Sequence, residues 1–250
     1  MIIIESAGIT DIGRKRKNNE DCLFLDDDQR LYVVADGMGG HQAGEVASKL
    51  VVETIQNYMR RFREEKGREA TPKAWLLSSI HLANQAVFQA SRNKNSCQGM
   101  GSTVSAVYFT DNTLIAANVG DSPIYLVRDK SIKLLSVIHN LLAESASGGL
   151  IDPEGAKYLS SVFKHMLTRA IGIEKTVKPD ICEIQCFKDD ILVISSDGLT
   201  DKVSPEEILH VVNKERPDKA CSTLVDLANK YRGDDNITII ILKVKMVNNA

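Results

Sequence analysis

Four aspartates lie where an apolar segment of the sequence ends or begins beside a turn. They occur in VVADG, NVGDS, SSDGL and RGDDNIT, at Asp36, Asp121, Asp197 and Asp235. Any one of them alone is typical of a turn, because an aspartate side chain hydrogen-bonds its own backbone there. If the segments are strands of a sandwich, their ends converge at the rims, and the four carboxylates could meet at one rim. Such a cluster would repel itself without cations, so it indicates bound metal, and all-oxygen ligands favour Mg²⁺ or Mn²⁺ over zinc.

Three glycines, Gly37, Gly39 and Gly40, follow the first of these aspartates. A dinucleotide-binding fingerprint would need a further glycine where the chain has Gln42, and a P-loop would need a lysine followed by serine or threonine. Ser196 in SSDGL lacks the flanking glycines of a nucleophile elbow. The glycines therefore indicate that the backbone bends sharply here and that the Gly37 carbonyl can approach an ion closely.

A basic run, Arg14 to Lys17, precedes the acidic pair Glu20 and Asp21 just before a predicted strand. A charge run of this kind is usually a solvated surface. The alternative gives one arginine a fixed role, because a planar guanidinium binds phosphate through two parallel hydrogen bonds beside a metal centre. The residues alone leave both interpretations open.

Short apolar or alternating segments predict strands along most of the chain, and turns of a few residues between several of them indicate antiparallel hairpins. Helical spacing of apolar residues predicts long helices from Gln42 to about Glu65 and from Pro72 to about Ser91, and shorter ones near 204–214 and 217–231. The segment of about 138–164 is the least regular. The predicted fold class is α+β, with two stacked antiparallel β-sheets (a β-sandwich) flanked by α-helices.

The 250 residues have the composition of an ordinary globular protein, since 43% are hydrophobic and 26% are charged. The formal net charge is −2. This charge gives no general attraction to nucleic acid or to an anionic membrane, and no stretch approaches the roughly 20 apolar residues of a membrane-spanning helix. The five cysteines are odd in number and contain no CxxC pair, which argues for a reducing compartment and against a zinc knuckle. We therefore expect a cytoplasmic protein.

Seven segments, in order along nearly the whole chain, resemble the metal-dependent serine/threonine protein phosphatases of type 2C, and more closely their compact bacterial members. The segments are RKRKNNED, VVADGMGGHQAGEVAS, GMGSTVSAV, NVGDS, LTRAIG, ISSDGLTD and GDDNIT. Each segment is weak alone, but their order makes the match specific. The resemblance implies one catalytic domain over residues 1–250, a β-sandwich flanked by helices, with a dinuclear metal centre at one rim and a flap subdomain at about 138–166.

The resemblance also implies the metal ligands. Asp36 would bridge two Mn²⁺ or Mg²⁺ ions, and the Gly37 carbonyl would complete the site of one of them. Asp197 and Asp235 would hold the other ion. Asp121, together with Asp197, would match a third and weaker metal site found in bacterial members.

Further residues receive roles in the same way. Arg16 falls where the family places its phosphate-binding arginine, Glu20 would hold a metal-bound water, and Asn236 would support the neighbouring ligand. The implied reaction is hydrolysis of phosphoserine and phosphothreonine in proteins, by in-line attack of a hydroxide that bridges the two ions. Eukaryotic members have a histidine where this chain has Met38, so the acid for the leaving group is either His41 or a metal-bound water.

The resemblance suggests a role opposite a bacterial serine/threonine kinase, acting on phosphorylated protein substrates. A monomer is the simplest expectation, and the charge predicts no nucleic acid or membrane partner. Two alternatives stay open. A catalytically altered member would act as a phosphoprotein-binding or regulatory module, since the family usually has arginine at Pro123 and Asp-His-Ser at positions 138–140. A hydrolase of small phosphoesters or nucleotides would share the ligands, but aromatic residues make up only 5% of the chain and none lies in the rim motifs.

Overall fold

The computed structural model describes residues 2–39, 43–64, 70–93, 97–147 and 162–247. The strands in these ranges are β1 (Ile2–Asp11), β2 (Asp21–Asp26), β3 (Leu31–Met38), β4 (Gly101–Ser102), β5 (Val104–Thr110), β6 (Thr113–Val119), β7 (Ile124–Arg128), β8 (Ser131–Leu134), β9 (Asp180–Gln185), β10 (Ile191–Ser195) and β11 (Ile237–Val247). The helices are α1 (Ala43–Glu64), α2 (Pro72–Asn93), α3 (Leu141–Ser147), α4 (Asp197–Thr200), α5 (Pro205–Lys214) and α6 (Pro217–Lys230).

The strands form two antiparallel sheets. The first sheet has the order β1–β11–β10–β7–β8, and the second has the order β2–β3–β5–β6–β9, with the short β4 beside β3. The β7–β8 turn has Asp129 and Lys130 at φ of 51° and 60°, as a two-residue hairpin turn requires. Short connections of this type explain why consecutive strands pair with each other.

Strand β3 divides its side chains between two cores. Leu31, Val33 and Ala35 pack against α1 and α2, whereas Tyr32 and Val34 face the first sheet. Successive side chains of a strand point to opposite faces, so a strand that is covered on both faces must be apolar throughout. The strand that carries Asp36 is therefore held firmly on both sides.

Strand β11 of the first sheet is likewise covered on both faces, as β3 is in the second sheet. Its residues Ile240 and Leu242 face the second sheet, and Ile239 and Ile241 pack against α5 and α6. The layers are thus α1 and α2, the second sheet, the first sheet, and α5 and α6. This stacking brings the strand ends of the two sheets to a common rim.

The sequence predicted this architecture closely, and the α+β fold class is confirmed. The helices near 204 and 217 begin at Pro205 and Pro217, the first of them with Ser204 and Glu207 as a capping box. The sequence missed α3, which lies in the segment expected to be irregular, and α4. Residues 148–161 of the expected flap and the candidate acid His41 lie outside the described residues. In the part of the chain that the structure describes, no helix has the length and apolar character needed to cross a membrane.

Candidate active site and metal centre

The four aspartates lie at the ends of strands that reach the same rim. Asp36 is near the end of β3, Asp121 follows β6, Asp197 begins α4 directly after β10, and Asp235 precedes β11. Strands β10 and β11 are antiparallel neighbours, so the end of one lies beside the start of the other. Strands β3 and β6 both pair antiparallel with β5, so their ends also point the same way.

A cleft of about 810 Å³ opens at this rim. The residues singled out from the sequence as site residues line it together: Arg16, Glu20, Asp36, Gly37, Asp121, Asp197 and Asp235. Segments that are far apart in the sequence are therefore brought together in one place.

The backbone at Asp36 is fixed from two sides. The Asp36 N–H donates to Thr103 Oγ1 at 3.0 Å, and the Thr103 N–H donates to the Asp36 carbonyl at 2.8 Å. The Gly37 N–H donates to the Glu20 carbonyl at 3.0 Å. A Cβ at Gly37 would lie 2.1 Å from the Gly44 carbonyl oxygen in α1, so only glycine fits between these backbones.

We expect Gly37→Ala to lower the free energy of unfolding by about 1–3 kcal/mol, because the added methyl group would force α1 away from β3. Urea unfolding of the wild type and the variant, followed by circular dichroism, measures the difference. An unchanged urea midpoint would contradict the close seating of α1 on this residue.

Burial and mutual repulsion raise the pKa of the carboxyl groups in the cleft. The pKa of Asp36 lies well above its usual value, first because the group is buried and then because other aspartates surround it. Burial raises the pKa of Asp121 to about 7, and the charge of Asp197 adds to the effect. The pKa of Asp235 is also raised, by burial and by Asp197. A divalent cation would relieve this repulsion, and oxygen donors of this kind suit Mg²⁺ or Mn²⁺.

Asp21 is a member of the acidic cluster that was not predicted as a site residue from the sequence. It lies opposite Asp36 in the β2–β3 register and is only 8% exposed. Its Oδ2 accepts a hydrogen bond from Ser196 Oγ at 2.7 Å, whereas its buried Oδ1 has no hydrogen-bond partner among the described residues. Burial raises the pKa of Asp21 to about 7. An unpartnered carboxylate oxygen beside the other acids also fits a centre that is built to hold cations and their water.

The predicted phosphate-binding arginine lies beside a predicted metal ligand. Arg16 donates through Nη2 to Asp235 Oδ2 at 2.7 Å, and its side chain is 49% exposed. Asn236 joins the two segments, since its Oδ1 accepts from the Glu20 N–H at 2.9 Å and its Nδ2 donates to the carbonyls of Ile12 and Asn18. The loop that carries Arg16 and Glu20 is thereby attached to the start of β11.

Further contacts around Asp234 and Gly233 support the same loop. Asp234 pairs with Lys15 and with Lys202, and the Lys15 ammonium lowers its pKa to about 2. The Arg14 N–H also donates to the Gly233 carbonyl at 2.8 Å. The basic run is thus exposed, as a solvated surface would be, and is also attached to the loop that precedes Asp235.

His165 is a further cleft residue that the sequence did not single out. Its Nδ1 lies 3.7 Å from Asp197 Oδ2, and its Nε2 lies 3.6 Å from Asp201 Oδ2. The nearby Asp197 carboxylate raises the pKa of His165. Only its position, just before the LTRAIG segment, could have drawn attention to it.

Comparison with known proteins identifies similar chains over the same length. Residues 8–237 match the family model described as protein phosphatase 2C. The chain is 32% identical to the serine/threonine phosphatase stp of Listeria monocytogenes over 238 residues, covering 94% of this chain and 93% of that protein. It is also 32% identical to the protein phosphatase PhpP of Streptococcus pneumoniae, covering 96% of this chain and 98% of that protein.

Solved structures agree with these matches. The catalytic domain of the serine/threonine protein phosphatase PstP, crystallised with two manganese ions, has a TM-score of 0.86 at 30% identity and covers 98% of this chain and 100% of that chain. The phosphatase MsPP of Mycobacterium smegmatis, in complex with cacodylate, has a TM-score of 0.81 at 31% identity and covers 97% of this chain and 98% of that chain.

Proposed function

This chain belongs to the protein phosphatase 2C family, and we propose that it hydrolyses phosphoserine and phosphothreonine in proteins with two divalent ions, Mn²⁺ or Mg²⁺. The observation that supports this most strongly is the convergence of Asp36, Asp121, Asp197 and Asp235 with Arg16 in one cleft. The carboxylates offer a site for cations, and the guanidinium offers one for the phosphate group.

The metal-holding residues are those at the strand ends. Asp36 and the Gly37 carbonyl would contact the ions from β3, and Asp197 and Asp235 would contact them from the first sheet. Asp121, with Asp197, would hold a weaker third ion. When bound, such ions supply the positive charge that polarises a water molecule and the phosphate oxygens.

Other residues of the chain bind and orient the substrate and its water. Arg16 places its guanidinium in the cleft, where its planar donors match two oxygens of a phosphate. Glu20 lines the cleft, where its carboxylate oxygens can accept a hydrogen bond from a water molecule. Asn236 holds the Glu20 backbone in place.

The cleft wall favours a protein substrate over a nucleotide. Leu167, Ile173 and Val177 contribute apolar surface, and the described residues that line the cleft include no phenylalanine, tyrosine or tryptophan on which a nucleobase could stack. A phosphorylated side chain on an extended peptide needs no such ring.

The decisive experiment is phosphate release from a phosphothreonine peptide with Mn²⁺, with EDTA, and with the Asp197→Asn variant. We expect manganese-dependent release that EDTA and the substitution abolish. Asp189→Asn is the matched control, because Asp189 is an exposed turn residue whose positive φ asparagine tolerates. Absence of release by folded, metal-loaded wild type would instead favour a phosphoprotein-binding module, and faster release from nucleotides would favour a small-molecule hydrolase.

We expect Arg16→Lys to raise KM for the phosphopeptide about 10-fold, because lysine keeps the charge but cannot donate through a planar fork. Steady-state kinetics measures this, with Lys17→Gln as the control that removes a neighbouring exposed charge. Equal effects of the two substitutions would mean that only the general charge of the basic run matters.

We infer that the enzyme opposes a serine/threonine kinase, because the phosphoproteins it would act on need one to form them. We place it in the cytoplasm on the basis of its cysteine pattern, and we expect a monomer because all the proposed ligands come from one chain.

A further inference from the structure

His139 lies in the interior beside the turn that carries Asp121. It is 0% exposed, although histidine is a polar residue. The backbone N–H of His139 donates to the Gly120 carbonyl at 3.0 Å. The Gly120 N–H donates in return to Nδ1 of the His139 ring at 3.1 Å. The side chain of the next residue, Asn140, lies close enough to the Asp121 carboxyl group to lower its pKa. His139 is therefore bound to Gly120 of the turn through both its backbone and its ring, and Asn140 lies beside Asp121.

The hydrogen bonds define the form of the imidazole. A backbone N–H only donates, so Nδ1 must present a lone pair to Gly120, and the ring proton lies on Nε2. Nε2 donates to Asp180 Oδ2 at 2.8 Å, and the same oxygen accepts from Arg169 Nη1 at 2.6 Å. Burial lowers the pKa of His139, which agrees with a neutral ring. Burial opposes ionisation of Asp180, but the bonds from His139 and Arg169 outweigh it and lower its pKa.

Gly120 leaves the turn little freedom. Its φ is +104°, and a Cβ there would lie 2.6 Å from the Thr103 side chain. Thr103 is also the residue that accepts from the Asp36 N–H. The turn is therefore held between Thr103, which fixes Asp36, and the His139 ring.

We propose that His139 is a positioning residue that holds the Asp121 carboxylate in register with Asp36 through the Gly120 amide, with Asp180 and Arg169 fixing the ring. This inference rests on the proposed function, because it concerns how the third ion and its ligand are placed. Arg169 lines the substrate cleft, so the chain of hydrogen bonds connects the cleft wall to the metal centre.

Three substitutions of His139 distinguish the contact that Nδ1 makes with Gly120 from the contact that Nε2 makes with Asp180. In His139→Asn the side-chain oxygen takes the place of Nδ1 and can still accept from Gly120, whereas in His139→Gln the amide nitrogen takes the place of Nε2 and can still donate to Asp180. His139→Ala removes both contacts. We expect the alanine and glutamine variants to need about 10-fold to 100-fold more Mn²⁺ for half-maximal turnover, with KM for the phosphopeptide unchanged, and asparagine to recover most of the loss.

A double-mutant cycle with Asp121→Asn tests the mechanism. If His139 acts through Asp121, His139→Gln should have little further effect on the Mn²⁺ requirement once Asp121 is replaced. Equal defects in the asparagine and glutamine variants, or losses that add in the double variant, would overturn the proposal.

A second readout keeps this inference separate from the proposed function. The rise in melting temperature on adding Mn²⁺ reports metal binding without turnover, and it should show the same non-additivity. If wild type released no phosphate, the proposed function would fail while this coupling could still be measured. Should the buried substitutions prevent folding, Asp180→Ala changes a partly exposed residue, frees the His139 ring, and should act in the same direction.

Discussion

Asp36→Asn is expected to reduce phosphate release at least about 10³-fold and, in the metal-free protein, to raise the free energy of unfolding. The loss of activity follows because an amide cannot replace the charge that would join two cations at this position. The gain in stability follows because the Asp36 carboxyl group is half-buried among other aspartates, and burial and their charges raise its pKa. A neutral side chain removes that repulsion without changing the shape.

The prediction is specific because the same substitution should lower the activity and raise the free energy of unfolding of the metal-free protein. Phosphopeptide turnover in Mn²⁺ and urea unfolding in EDTA measure the two quantities on the same preparations. Asp189→Asn, in the exposed β9–β10 turn, should change neither. Normal turnover by Asp36→Asn would contradict the assignment of Asp36 as a bridging ligand, and a lower metal-free stability would contradict the repulsion.

Much of the fold could be predicted because the signals are local. Strand β3 has consecutive apolar residues, which indicate burial on both faces, and Asp36 comes at their end. Helix α1 shows an apolar face over 22 residues, long enough for its period to be recognised. Helices α3 and α4 have only 7 and 4 residues, too few to show a helical period.

The parts of the site that could not be predicted depend on pairing between distant segments. Asp21 joins the cluster only because the β2–β3 register sets it opposite Asp36. His139 gains its partners from Gly120 and Asp180, 19 and 41 residues away in the sequence. A pattern within one segment contains no information about such pairings, whereas each strand-end aspartate marks itself by its position after or before an apolar run.

The second large effect concerns pH. In the metal-free protein we expect the free energy of unfolding to fall as pH rises from about 4 to about 8. Asp21 and Asp121 have pKa values raised from 3.8 to about 7, so the folded state binds their protons more tightly than the unfolded state does. Their contribution to stability is therefore complete below the unfolded pKa and is lost as pH rises through about 7. One such group accounts for about 4 kcal/mol at most, and coupled groups do not add.

Mn²⁺ should reverse this trend, because the ions bind the deprotonated carboxylates and the protons compete with them. Urea unfolding at several pH values between 5 and 8, with EDTA and with Mn²⁺, should show a stabilisation by metal that grows with pH. Asp36→Asn should flatten both dependences, since it removes one of the carboxyl groups of the cluster whose pKa is raised. A metal-free stability that rises with pH over this range would mean that the carboxylates are compensated within the protein, and the case for a metal centre built from them would be lost.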